Sequence, residues 1–124
     1  MGNAPKAGDS VINTEIALQR LNGNRSLLSA LAGFFLEDAP QLVCQLQAGI
    51  EAGSVEQTVR SAHSLRGLAS SFEAIPVMKL TSEIERLGRS GDFSRLKDLI
   101  NDLDAEMSRL TVELQRIAAD GGRK

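Results

Sequence analysis

The sequence predicts an all-α fold, an antiparallel up-down four-helix bundle with a short additional N-terminal helix. Three observations carry this prediction. Apolar residues recur at steps of three and four along nearly the whole chain and never alternate for long, which is helical rather than strand spacing. Strand-favouring aromatics are scarce, with no Trp, no Tyr and 4 Phe among 124 residues. Turn-forming residues divide the periodic segments, and the short connections they leave make consecutive helices antiparallel neighbours.

The first element, Asp9 to Leu21, is short and weakly patterned, with Ile12, Ile16 and Leu18 as its apolar side. Asn22-Gly23, a dipeptide that reaches positive φ cheaply, ends it. Asn24 suits the N-cap of a long helix to about Ala52, whose stripe is Leu28, Leu31, Phe35, Ala39, Leu42, Leu46 and Ile50. Pro40 inside it deletes a hydrogen bond and crowds the preceding turn, so a kink is expected, with a break into two helices as the competing reading. Gly53 stops this helix and Ser54 starts the next, with Gln57 completing a capping box. The third helix runs from Val55 to about Phe72 and turns Val55, Val59, Ala62, Leu65 or the stem of Arg66, Ala69 and Phe72 inward. Pro76 suits the first turn of a fourth helix with the stripe Val77, Leu80, Ile84 and Leu87. Gly91 ends it and Asp92 caps the last helix. There Phe93, Leu96, Ile100, Leu103, Met107, Leu110, Leu114 and Ile117 follow at steps of 3, 4, 3, 4, 3, 4 and 3. That heptad seam is what a bundle helix needs to pack against its neighbours. Residues 1–9 read as a linker and 120–124 as a disordered tail, leaving one domain over 10–119.

Composition excludes several classes of function. The chain is 42% hydrophobic and 24% charged, an ordinary globular mixture. Its 14 Lys and Arg against 16 Asp and Glu leave a net charge of −2. No basic stripe interleaved with stacking aromatics appears, so nucleic acid is not an expected partner. No uninterrupted run of about 20 apolar residues is present and the N-terminus lacks a signal-peptide centre, so no direct membrane contact is expected. The single cysteine, Cys44, forms no internal disulfide and fits a reducing compartment. It lies beside the long helix's stripe and is expected as a small core hydrophobe rather than a reactive thiol.

One segment carries chemistry. His63 is the only histidine, and it shares a helix face with Arg60, Arg66, Gly67 and Ser70 rather than with the apolar stripe, so it reaches solvent. A glycine inside a helix costs about 1 kcal/mol relative to alanine. Gly67, one turn after His63, either leaves room for another molecule to approach the imidazole or serves helix packing. Arg66, three residues on, places a guanidinium beside any anion attached to the ring.

The run His63-Ser64-Leu65-Arg66-Gly67-Leu68-Ala69-Ser70-Ser71-Phe72 resembles the signature of histidine-containing phosphotransfer (HPt) domains. That signature has an apolar residue two after the His, a Lys or Arg three after, a Gly four after and a large apolar residue nine after. Phe35-Leu36-Glu37-Asp38-Ala39-Pro40 resembles the acidic, proline-containing stretch of the preceding helix, and Ala48-Gly49-Ile50-Glu51-Ala52-Gly53 its end. Ile84-Glu85-Arg86-Leu87-Gly88-Arg89-Ser90-Gly91-Asp92 is similar to the family's Leu-Glu…Gly-Asp helix end. The likeness covers about Ile12 to Ile117.

The resemblance implies a domain that accepts a phosphoryl group from a receiver-domain aspartate and passes it to another in two-component signalling. It implies no ATP site and no autonomous catalysis, and the chain carries neither a Walker-type loop nor a kinase nucleotide box. On this reading His63 is phosphorylated through Nε2, Arg66 stabilises the transferring charge, and Gly67 keeps the approach open. Glu85 would hold the other ring nitrogen and fix the tautomer, and Arg89 would add positive potential. The alternative for these last two is an exposed i,i+4 ion pair. No cofactor of its own is expected, Mg²⁺ being supplied by the partner receiver. The expected partners are receiver domains of response regulators or of a hybrid histidine kinase, with apolar docking through Leu68 and the short first helix. A monomer is expected, in the cytoplasm, either free or attached to a membrane-anchored sensor kinase. Ser70 and Glu73 depart from the glycines many members carry, and Glu73 adds negative charge near the end of the His helix. The competing function is a helical docking module that binds or sequesters a signalling partner without transfer.

Overall fold

A computed structural model describes residues 12–120, so the expected linker at 1–9, the start of the expected first helix and residues 121–124 lie outside the described residues. Among the described residues there are five helices and no strand: α1 (Thr14–Arg20), α2 (Arg25–Ala52), α3 (Val55–Ser70), α4 (Ile75–Ser90) and α5 (Leu96–Asp120). The last four close a ring in which α2 lies beside α3 and α5, and α4 lies beside α3 and α5, with no close backbone approach across the diagonals among the described residues. Each helix therefore has two neighbours and one apolar stripe between them, the all-α bundle its periodicity demands. α1 packs against α2 and reaches the end of α3 through the Arg20 side chain, which donates to the Ser70 carbonyl.

The core is built from the predicted stripes. Phe35 and Leu46 of α2, Leu65 of α3, Ile84 of α4 and Leu103, Leu110 and Leu114 of α5 are almost wholly buried. Leu65, rather than the stem of Arg66, fills the inward position of α3. Phe35 and Phe72 meet edge to face with centroids 5.9 Å apart, the arrangement their ring quadrupoles favour. α2 continues unbroken through Pro40, which lies on its exposed side, so the two-helix reading is set aside. Its most apolar 18-residue window has a mean hydropathy of 1.3, long and apolar enough by composition to cross a membrane. Here, however, it buries one face against α3 and α5 and carries Glu37 and Asp38 on an exposed one.

Local expectations fail where a competing hydrogen bond or helix phase wins. α1 begins at Thr14, capped by Asn13 Oδ1, and buries Ala17 rather than Ile16. Ser54 Oγ caps α3 through the Gln57 amide at 3.2 Å, but the Gln57 side chain does not close the box. It donates to the Gln45 carbonyl of α2 at 2.9 Å, because the Ser54 amide is already taken by the Gly49 carbonyl. α3 ends at Ser70 rather than Phe72. α5 begins at Leu96, after a turn in which Asp92 Oδ1 accepts from the Ser94 amide and hydroxyl; Phe93 therefore precedes the helix. Val55 is 43% exposed, and Cys44 is exposed too, two residues from both Leu42 and Leu46 of the stripe and so on the wet side of α2. Asp120, expected in the tail, is the last residue of α5.

Candidate functional site

α3 and α4 lie side by side along a seam of small or polar residues. Thr58, Ser61 and Ala62 on α3 and Thr81 on α4 are buried, and so is Glu85. A carboxylate in such a place must find hydrogen-bond donors or lose its charge. Glu85 finds them on both helices. Arg89, one turn later on α4, donates through Nη2 to Oε2 at 2.5 Å, and Arg66 of α3 donates through Nη2 to Oε1 at 3.2 Å. His63 brings Nδ1 to 3.5 Å from Oε2. The structure thus brings His63, Arg66, Glu85 and Arg89 into one cluster, with Glu85 at its centre. The exposed surface pair that spacing alone allowed for Glu85 and Arg89 is corrected here: the arginine is exposed, but the carboxylate is only 10% so.

Burial alone pushes the Glu85 carboxyl up, but hydrogen bonds from Arg89 and Arg66, with the nearby charge of Arg66, outweigh it and hold the pKa below the ordinary 4.5. Glu85 is therefore a fixed negative charge beneath an exposed ring. The His63 side chain is 64% exposed, and its Nδ1 faces two competing neighbours. Arg66 Nη2 stands 3.0 Å away and can only donate, whereas Glu85 Oε2 at 3.5 Å can only accept. The closer neighbour of Nδ1 is thus Arg66, not the Glu85 of the sequence reading. A proton on Nδ1 requires Arg66 to give way and Glu85 to close in. A bare Nδ1 keeps Arg66 and leaves the proton on Nε2.

Gly67 is exposed, and a Cβ built there meets nothing within 4 Å. Packing among the described residues therefore does not account for it. Gly33 of α2 has the same open space, so openness alone does not mark a site; the distinction of Gly67 is its place beside His63. On that side a shallow groove is lined by Asp38, Gln41, Leu42 and Gln45 of α2 and by Ser64, Gly67 and Leu68 of α3. Phe34, 58% exposed, stands one turn before Asp38 on the same face of α2, with Leu27 a further two turns back. The sequence reading missed Phe34. Its signal was an aromatic one place off the inward stripe, which a periodicity search assigns to neither face.

Glu73, outside the cluster, has a φ of 50°, the left-handed region where glycine carries no penalty. Its carboxylate is held by Arg20 Nη2 at 2.7 Å, and Arg20 Nη1 also donates to the Ser70 carbonyl at 2.9 Å. The negative charge expected at the end of the His helix is thus paired by α1. Among the described residues no group of three or more His, Cys, Asp or Glu is placed to hold a metal ion.

Among known families, the model described as the Hpt domain matches residues 30–118. That span contains α3, α4 and all four residues of the cluster. No curated protein and no solved structure matches the chain.

Proposed function

The chain belongs to the Hpt domain family, the histidine phosphotransfer modules of two-component signalling, and from that premise we propose that His63 takes a phosphoryl group from a receiver aspartate and hands it to another. The observation that supports this reading is an exposed imidazole whose Nδ1 lies over a buried, charged carboxylate while Nε2 is left to a partner.

The step balances as follows. Nε2 of the neutral ring, its proton on Nδ1, attacks the phosphorus of an aspartyl phosphate. The P–N bond forms, the P–O bond to the aspartate breaks, and the aspartate leaves as a carboxylate. The ring becomes cationic and keeps its Nδ1 proton, which Glu85 accepts as a hydrogen bond. Arg66 leaves Nδ1 for the incoming phosphoryl oxygens, neutralising charge where it develops. Arg89 keeps Glu85 anchored from the far side. Gly67, with Leu68, Phe34 and the groove between them, is where the receiver's backbone approaches. Mg²⁺ belongs to the receiver, the domain carries no ATP chemistry of its own, and the site of action is the cytoplasm.

The test is transfer of labelled phosphoryl from a phosphorylated receiver to the wild type and to His63→Gln. Acid-labile, base-stable label on the wild type alone is the expected result. A wild type that binds receivers yet takes label from none would overturn the transfer reading and leave a docking module.

A further inference from the structure

Alanine is a better helix residue than glycine, so Gly88, inside α4, needs a reason of its own. The reason lies across the seam. A Cβ at Gly88 would stand 3.1 Å from Thr58 Cγ2 and 3.4 Å from Val59 Cγ2 of α3. Thr58 is wholly buried and has no room to retreat, because α2 closes on its other side. There a Cβ at Gly49 would meet the Thr58 amide nitrogen and Oγ1 at 3.0 Å. Thr58 is thus gripped between two glycines on two helices. An atom added at Gly88 therefore presses on the Thr58 methyl. With α2 behind Thr58, the few tenths of an ångström it needs are most readily given by the spacing of α4 against α3.

Glu85 stands one turn before Gly88 on that same side of α4. Its contacts with Arg66 at 3.2 Å and with His63 Nδ1 at 3.5 Å both cross the seam. The second is already at the limit of a hydrogen bond, so a few tenths of an ångström decide whether it forms. Arg89, by contrast, is on α4 itself and moves with Glu85.

We infer that Gly88 and Thr58 set the spacing between α3 and α4 at which Glu85 holds His63 and Arg66, making Gly88 a positioning residue for the transfer. The spacing stands on packing alone, and only its effect on rate rests on the function proposed above.

The experiment compares wild type, Gly88→Ala, Thr58→Ser, the double variant Thr58→Ser/Gly88→Ala, and Glu85→Gln. Thr58→Ser removes the methyl that the new Cβ would strike. Circular dichroism melts establish that each variant is folded, which the helix propensity of alanine favours. Two readouts follow: the transfer rate at saturating phosphorylated receiver beside the receiver dissociation constant, and the ring ¹⁵N shifts of His63. Gly88→Ala is expected to bind receiver as the wild type does, to transfer about tenfold more slowly, and to move its ring shifts toward those of Glu85→Gln. The double variant is expected to recover both. A Gly88→Ala protein with wild-type rate and ring shifts would overturn the inference, as would a double variant that recovers neither. If the wild type itself takes no label, the transfer reading falls and the ring shifts alone decide the spacing.

Discussion

At Glu85, burial and hydrogen bonding pull in opposite directions, and the direction of the net shift fixes a pH dependence. The folded pKa lies below the ordinary 4.5, so the group's contribution to stability is fully present above the unfolded value and is lost as pH falls through the lower folded value. Urea unfolding should show a stability gap between wild type and Glu85→Gln that is constant from about pH 8 to about pH 5 and narrows on further acidification. A gap that widened on acidification would mean the carboxyl is neutral in the fold. Gly67 yields a prediction of opposite signs. With nothing within 4 Å of its Cβ position, Gly67→Ala should stabilise the fold by up to about 1 kcal/mol while slowing phosphoryl transfer. Thermal melts and the transfer assay on one preparation check both. Residue types and spacing were enough to single out His63, Arg66 and Gly67 in the sequence, whereas Glu85 entered only through the resemblance to the phosphotransfer family. That Arg66 rather than Glu85 is nearest to Nδ1 was not legible, because it depends on how two long side chains share one carboxylate across two helices.

Among the elements, the periodic ones were the most legible. The seam of α5 is buried at Leu96, Ile100, Leu103, Met107, Leu110 and Leu114 as the heptad spacing predicts, since a regular stripe has only one way to face a core. Helix ends were less legible, because side chains there choose among several backbone partners within reach. Gln57 left its capping box for α2, and Asp92 made a turn instead of a cap. The end of α3 is the instructive case. Glu73 is strained at φ 50° yet paired with Arg20, so Glu73→Gly relieves about 1 kcal/mol of backbone cost and forfeits a partly exposed ion pair worth up to about 1 kcal/mol. The two nearly cancel, and chemical denaturation should place the variant within about 0.5 kcal/mol of wild type.

For the whole molecule, the closed ring of four helices makes stability a shared property and places the site outside the shared core. Leu110 is wholly buried on α5, which packs on α2 and α4, whereas the histidine is on the outer face of α3. Leu110→Ala should therefore cost about 2–5 kcal/mol in a single unfolding transition. Below that transition the protein should still accept phosphoryl label at close to the wild-type rate. Loss of label in the folded variant would mean the cluster is coupled to the core more tightly than its exposure implies.

The sequence by itself determined the helical class, the order and approximate bounds of the helices, and which side chain is the nucleophile's candidate. The class and the bounds rest on periods within one helix, where residues three and four apart are neighbours in space. The candidate nucleophile rests on the resemblance of the run from His63 to Phe72 to the phosphotransfer signature. The tertiary structure alone decided that Glu85 is buried, that one carboxylate serves two arginines and an imidazole, that Gly67 stands open while Gly88 is packed tight, and that Cys44 is wet. These depend on the distance and rotation between helices, which no spacing along a single helix encodes.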